Sequence, residues 1–389
     1  MATRTKDHTD AVRAHVTGPA QEAVPELIRA LRAELAEPAL VLYFASSTYD
    51  PHEVAGPIAE AFDGAVVAGC STAGEFTDRS NATEGISAIA LPSSVIGTVT
   101  AGMGELGTDP ESGTRAAVAE VESALGRPLR SLEAGKALGF VLIDGMSDAE
   151  ERVNAELANA APLLDIVGGS AGDDLAFKKT WVTLHGRVSW SGVVLIMCEV
   201  RAPFHIIKSC SFRPMERTLR VTRADLATRT VHELDGRPAL EAYAAALGLQ
   251  PHEVTDQTLF EHPLGLMIDG KPWIRSPRTV NADGSISFYA QVLEGCDVEL
   301  MSATDLVGDT RSSMMSAVEA AGGAASGAVL FNCVLRRLQI DHENTGDQFV
   351  DSFAGVPSAG FHTYGETWLG HVNQTITGVV FGKPDNANA

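Results

Sequence analysis

Two short segments of the chain repeat one pattern. GCSTAGEF, Gly69 to Phe76, and GFHTYGET, Gly360 to Thr367, each carry a glycine, a threonine three residues on, and then Gly-Glu. Glycine permits positive φ and close backbone approach, so successive N–H groups of such a turn can converge on an anion such as a carboxylate. Hydroxyl groups at Ser71, Thr72 and Thr363 add donors and acceptors, and Glu75 or Glu366 supplies a fixed negative charge able to hold an ammonium group. A zwitterionic amino acid suits that pairing. The ligand-facing set is therefore Gly69, Ser71, Thr72, Gly74 and Glu75 in the first copy, and Gly360, Thr363, Tyr364, Gly365 and Glu366 in the second. Asn373 and Gln374, at the head of the strand NQTITG, bring amide groups to the same pocket. An architectural alternative stands beside this: the glycines only make tight turns, each glutamate caps nearby backbone or pairs with an internal arginine, and NQTITG is an ordinary strand start.

GGSAGDD, Gly168 to Asp174, holds the same place in a third copy. Its adjacent acids, Asp173 and Asp174, alternate faces on a strand, so one of them is expected in solvent.

Nucleophiles lie beside these turns. An enzyme using Cys70 or Cys333 is the corresponding alternative, yet GCSTAG lacks the Gly-x-Ser-x-Gly spacing and the histidines follow no recognisable order around these groups. No HxxxH or clustered His-carboxylate spacing points to a metal, and without CxxCH there is no covalent haem. The expectation is a chain with no catalytic residue and no metal. Among eleven histidines, His362 and His371 flank the second motif and are the candidates for ligating a non-covalent haem, although each reads more readily as a surface or hydrogen-bonded side chain than as a ligand.

The surrounding composition narrows the partners. A net charge of −21 over 389 residues repels phosphate backbones. The densest basic stretch, RPMERTLRVTR at Arg213 to Arg223, reads as a solvated face around an edge strand, so no nucleic-acid partner is expected. Five cysteines stand singly, without CxxC spacing or an even disulfide framework, and read as reduced thiols. The N-terminal residues have no apolar core of signal-peptide length. The longest apolar run, GVVLIMCEV at Gly192 to Val200, is too short to cross a bilayer. These features predict a cytoplasmic protein with no membrane association.

The elements that must position the turns alternate at α/β intervals. A helix is expected after Pro25, with Leu27, Ile28, Leu31 and Leu35 on one face, then the buried strand ALVLYFAS, a helix to about Phe62, and AVVAG delivering the first turn. Pro110 and Gly126 bracket another helix. LGFVLIDG, a helix near Ala149 to Ala161 and the GGSAGDD turn repeat that plan. GAVLFNCV, a polar segment around DHENTGDQF and VPSAGFHTYGE repeat it again. The predicted fold class is α/β, mixed sheets with flanking helices, in two packed domains built from strand-helix-strand-glycine-turn units. The division expected is a flexible tail over residues 1–24, an N-terminal α/β domain over 25–228 and a C-terminal α/β domain over 229–383.

VLYFASS, VVAGCSTAGEF, GGSAGDD, VHELDGRPALEAY, HPLGL, FNCVLRR and GFHTYGETWLGHVNQT occur in this order from Ala39 to Phe381. With these segments the chain resembles FIST-family proteins, an N-terminal FIST domain followed by a C-terminal one. The resemblance implies a signal-input module that binds a small ligand such as an amino acid and acts on a separate signalling protein such as a histidine kinase. Some similar proteins are haem-binding nitric oxide sensors, which makes haem b at His362 or His371 the alternative that the resemblance brings.

Overall fold

The computed structural model describes residues 9–384. Its helices and mixed sheets make an α/β fold, as expected, in two units. One comprises residues up to Lys208, Thr310–Gly370 and the chain from Ile376; the other comprises Ser209–Asp309 and His371–Thr375.

The first unit is built on three sheets of one plan. In each, a strand, a helix and a second strand parallel to the first form the centre, and an antiparallel return strand lies on the far side. The first sheet runs β1 (Val12–Thr17), β6 (Gly85–Leu91), β2 (Leu40–Ser46), β3 (Val66–Thr72), β10 (Val182–Leu184), β11 (Arg187–Ser189). Another runs β7 (Ile96–Glu105), β12 (Gly192–Val200), β8 (Ala137–Ile143), β9 (Asp165–Ser170), β24 (Glu366–Trp368). The remaining one runs β13 (Phe204–Cys210), β26 (Thr375–Gly382), β22 (Ala325–Cys333), β23 (Ser358–Thr363), β4 (Glu75–Thr77), β5 (Ser80–Ala82). The crossover helices are α2 (Pro51–Ala61), α4 (Glu150–Ala160) and the pair α8 (Val334–Glu343) and α9 (Gly346–Asp351).

Each copy lends the strand after its glycine turn to the next copy. β4, leaving the first turn, pairs antiparallel with β23; β24, leaving the last turn, pairs with β9; β10, beyond the middle turn, pairs with β3. This ring of exchange ties the three turns together.

Period-two burial explains why the central strands read as continuous apolar runs. Leu40, Leu42 and Phe44 of β2 face a core shared with Leu138, Phe140 and Leu142 of β8 and with Val329 and Phe331 of β22. The alternate residues Val41, Tyr43 and Ala45 pack under α1 (Ala20–Glu34) and α2. Val141 and Ile143 likewise pack with Val118 and Val121 of α3 (Pro110–Leu125). Phe44 and Phe361 rings meet at 4.8 Å in the shared core. Each such side chain contributes about 1.5–3 kcal/mol by leaving water. α3 obeys its sequence signals: Asp109 accepts the Ser112 N–H at 3.0 Å, and Gly126 ends the helix at φ 68°.

The second unit carries an eight-stranded sheet. Its order is β18 (Lys271–Arg275), β17 (Leu264–Ile268), β21 (Asp297–Ala303), β14 (Phe212–Asp225), β15 (Thr230–Leu234), β20 (Ile286–Phe288), β19 (Pro277–Val280), with β16 (Arg237–Pro238) on β15. α5 (Ala239–Leu247) and α6 (Asp256–Glu261) accompany it, and β25 (His371–Val372) lies in the returning segment. α7 (Leu306–Ala320) carries the chain back.

Several expectations need correction. Residues 1–8 of the expected flexible tail lie outside the described residues, whereas Val12–Thr17 form β1, in register with Gly85–Ala90 of β6. Ladder hydrogen bonds order this segment despite its polar composition. α1 starts at Ala20 and includes Pro25, which is exposed and costs the helix one hydrogen bond on its solvent side. The polar segment after Cys333 forms α8 and α9; Arg336 occupies a core position at 1 % exposure, which hides the helical period. The basic stretch is solvated as expected but is no edge: β14 lies between β21 and β15, with a register shift between Pro214 and Thr218. The compact units are discontinuous in the chain, a grouping by contacts and distinct from a division along the sequence. Residue 228 falls between β14 and β15, which are one antiparallel pair.

Candidate functional site

The exchanged strands bring the three turns of the first unit into direct backbone contact. Ala73 N–H donates to His362 O at 3.1 Å, and His362 N–H to Gly74 O at 2.8 Å. Tyr364 N–H donates to Ser170 O at 3.2 Å, Ser170 N–H to Gly365 O at 2.9 Å, and Gly172 N–H to Ser71 O at 3.1 Å. Such closeness requires glycine at Gly172, where a Cβ would stand 2.7 Å from Ala73 N. Gly74 adopts φ 104°, a conformation that L side chains avoid.

Within this frame the first and last turns are built alike. Thr72 Oγ1 donates to Glu75 Oε2 at 2.9 Å and accepts the Gly74 N–H at 3.3 Å. Thr363 Oγ1 donates to Glu366 Oε1 at 3.1 Å and accepts the Gly365 N–H at 3.0 Å. Both glutamates are fully buried. Gly85 N–H donates to Glu75 Oε1, and His15 Nε2 lies 4.0 Å from the same oxygen. Burial pushes the Glu75 carboxyl up to about 8, against the hydrogen bonds from Thr72 and Gly85. Gly69, Ser71, Gly74, Gly360 and Gly365 are buried in the surrounding backbone. Ser71 Oγ accepts the Trp181 N–H at 3.0 Å.

The middle turn departs from its relatives. Ser170, which takes the place of Thr72 and Thr363, donates to Glu150 Oε1 at 3.0 Å. Asp173, buried, accepts the N–H groups of Phe177, Lys178 and Lys179 at 2.8, 2.6 and 2.9 Å and the hydroxyl of Tyr364. Burial opposes that charge, yet these hydrogen bonds together hold the carboxyl below the ordinary range. Asp174 is exposed, so the two adjacent acids separate as expected. Asp174, Leu175 and Phe177 take φ of 53°, 65° and 50°. Three left-handed non-glycine residues within four store backbone strain of about 1–3 kcal/mol each. Tyr364 Oη accepts the Leu175 N–H at 2.8 Å, and its ring stacks on Phe177 at 5.0 Å.

Sequence reasoning missed the arginines of α8. Arg337 Nη1 donates to Ala73 O at 2.8 Å and pairs with Asp174, while Nε donates to Asp341 at 3.2 Å. Arg336 Nε donates to Asn332 Oδ1 at 2.8 Å; Asn332 Nδ2 lies 2.9 Å from His362 Nδ1, and His362 Nε2 lies 2.8 Å from Asn81 Oδ1. A local signal for the turns was present as Thr-x-x-Glu at 72–75 and 363–366, the spacing that lets a hydroxyl reach a carboxylate within one turn.

Asn373, Gln374 and His371 belong to the second unit. Ser276 Oγ donates to Gln374 Oε1 at 2.8 Å, and Gln374 Nε2 donates to Phe260 O at 3.1 Å. His371 Nε2 lies 3.3 Å from Tyr289 O and 3.5 Å from Asn373 Nδ2.

The two histidines differ in what they could offer a haem iron. His362 uses both ring nitrogens on asparagines, and burial first, then Arg337 and Arg336, lowers its pKa well below the usual value. His371, at 4 % exposure, keeps Nε2 near the Tyr289 carbonyl and the Asn373 amide, while its Nδ1 is buried without a hydrogen-bond partner among the described residues. Among the described residues no group of three or more His, Cys, Asp or Glu is arranged to hold a metal ion. Cys70 and Cys333 are buried, and burial pushes the Cys70 thiol far from its reactive form. An open groove of about 810 Å³ runs along α1 and α2, lined by Ala20, Val24, Pro25, Ile28, Arg29 and Pro57. Its polar lining is Gln21, Arg29, Arg32 and Glu53, without the buried hydroxyl–carboxyl pairs of the turns, so the chemistry points to the turns rather than to the groove.

The fold and this cluster define a duplicated α/β protein organised around buried polar turns. A family model described as the FIST N domain matches residues 39–237, and one described as the FIST C domain matches residues 239–368. The chain belongs to the FIST family, whose domains are sensory domains of signal transduction that bind small ligands. A search of curated proteins found no match. No helix among the described residues is long and apolar enough to cross a membrane.

Proposed function

We propose that this chain is a non-catalytic, cytoplasmic signal-input protein that binds a small amino-acid-like molecule at the three-turn cluster and acts on a separate signalling protein such as a histidine kinase. The observation that carries this is the convergence, at the strand ends of one unit, of three turns with buried carboxyls. One of those carboxyls is displaced to about 8, beside a strained loop. The ligand-facing residues proposed are Gly69, Ser71, Thr72, Gly74, Glu75, Gly360, Thr363, Tyr364, Gly365 and Glu366. Asn373 and Gln374 are proposed as polar positions of the second unit. Residues 25–228 and 229–383 are the proposed division into FIST N-type and FIST C-type domains.

In this reading an ammonium group meets Glu75 and Glu366. Glu75 holds its proton at neutral pH in the free protein, so an arriving cation draws it into the ionised form and a proton is released. A thermal-shift screen of amino acids and small amines identifies the ligand. Calorimetry in two buffers of different ionisation enthalpy then reads the proton. Glu75→Gln or Glu366→Gln is expected to weaken binding roughly ten- to a hundredfold, the loss of about 1.5–3 kcal/mol for a charge-assisted hydrogen bond. Unchanged affinity in both variants, with clear loss of thermal stability, would mean that the glutamates serve only their own turns. An intense Soret band at stoichiometric haem would replace the proposal.

A further inference from the structure

Thr72, Glu75, Thr363 and Glu366 have no exposed surface, so a ligand reaches them only if a covering element moves. The loop from Asp173 to Thr180 is fastened to the apex residues of both flanking turns. Leu175 and Phe177 hold Tyr364 of the last turn, and Asp174 is tied through Arg337 to Ala73 of the first. Arg337 is nearly buried, at 13 % exposure, and its Cδ lies 3.6 Å from where a Cβ on Gly74 would stand, so this guanidinium lies along the glycine turn itself. Asp174 meets it from solvent, at 41 % exposure and on a left-handed backbone.

We propose that Arg337 is the residue that binds the carboxylate of the ligand, and that Asp174 holds its place in the free protein. A guanidinium presents a planar fork matched to carboxylates. Here Nη1 serves both Ala73 O and Asp174 while Nε serves Asp341 at 3.2 Å, so a ligand carboxylate exchanges with the Asp174 carboxylate on Nη1. The exchange keeps charge constant at Arg337 and frees Asp174, which loosens the strained segment through Phe177 by leaving it to Asp173 and Tyr364 alone. Carboxylate capture thereby becomes a change in an exposed loop that carries Phe177, Lys178 and Lys179. This inference rests on the proposed ligand site and names the ligand class as a small carboxylate, a zwitterion when its ammonium also meets Glu75.

The test uses acetate, which lacks an ammonium, and methylamine, which lacks a carboxylate. Binding of isotope-labelled acetate is followed by NMR against a chloride control of equal ionic strength, and loop release by trypsin cleavage after Lys178 or Lys179. In the wild type, acetate is expected to bind weakly and to speed cleavage. Asp174→Asn, an exposed change that leaves the core intact, is expected to tighten acetate binding about tenfold by removing the internal competitor, and to raise basal cleavage. Arg337→Gln is expected to lose acetate binding while cleavage stays fast; Arg337→Lys, which keeps the charge, is expected to retain part of the binding. Equal acetate affinity in wild type, Asp174→Asn and Arg337→Gln overturns the proposal, as does cleavage that ignores bound acetate. Methylamine separates the two readings. Loss of its binding in Glu75→Gln with acetate behaviour intact supports both sites, whereas no methylamine response at all, with acetate exchanging as described, removes the ammonium site and leaves Arg337 standing.

Discussion

Asn332 Nδ2 lies 2.9 Å from Nδ1 of His362, and that contact, with Asn81 Oδ1 at 2.8 Å from Nε2, leaves the imidazole neutral with its proton on Nε2. Arg336 holds the other end of Asn332 through its side-chain oxygen. The chain of contacts runs from α8 through the last turn to β5 and stiffens the strand that delivers Thr363 and Glu366.

Asn332→Leu is therefore expected to lower stability by about 1–3 kcal/mol, because it removes one buried hydrogen-bond partner from Arg336 and one from His362. Urea denaturation measures the loss. A change within about 0.5 kcal/mol would show that solvent or a neighbour replaces the amide.

Stability should depend on pH through Glu75. Its carboxyl ionises at about 8 in the folded chain against an ordinary value of 4.5, so between those values the folded state holds the extra proton and stability falls as pH rises. His362 acts in the opposite sense: its folded pKa is depressed, the unfolded ring takes a proton below 6.5, and stability falls as pH drops from there. The advantage of wild type over Glu75→Gln should shrink by up to about 1.4 kcal/mol per pH unit from 6.5 towards 8. Denaturation curves of the two proteins across that window provide the comparison, and a constant gap contradicts the displaced carboxyl.

Gly172→Ala should strain the junction of the first and middle turns. The added Cβ would lie 2.7 Å from Ala73 N and 2.9 Å from Ala73 Cβ, and neither neighbour is the end of a flexible side chain. A loss of about 1–3 kcal/mol is expected. Gly64→Ala, whose Cβ meets nothing within 4 Å, serves as the control in the same melting experiment.

Thiol chemistry should divide the cysteines. Cys70, Cys198 and Cys333 are buried, and Cys210 and Cys296 are partly exposed. A disulfide reagent is expected to titrate at most Cys210 and Cys296 quickly in the native protein and all five after unfolding. Fast modification of Cys70 or Cys333 would reopen the nucleophile reading.

Local chemistry was legible in the sequence wherever its partners lie within one turn of each other. Gly126 and Gly248 end their helices in left-handed geometry, and the strand alternation of β2 follows directly from Leu40 to Ala45. Thr-x-x-Glu carries its own hydrogen bond. Apolar period and glycine position determine these features because each depends on neighbours a few bonds away. The tertiary structure alone decided which groups meet across the chain: Arg337 with Asp174 across 163 residues, Tyr364 with Asp173 across 191, and His362 with Asn81 across 281. No periodicity encodes such partners, since they follow from three copies lending strands to one another around a shared core. The same exchange buried Arg336 at a position where a sequence pattern expects an apolar residue. A charged side chain can occupy that place only because folding brings Asn332 and Thr310 to its guanidinium.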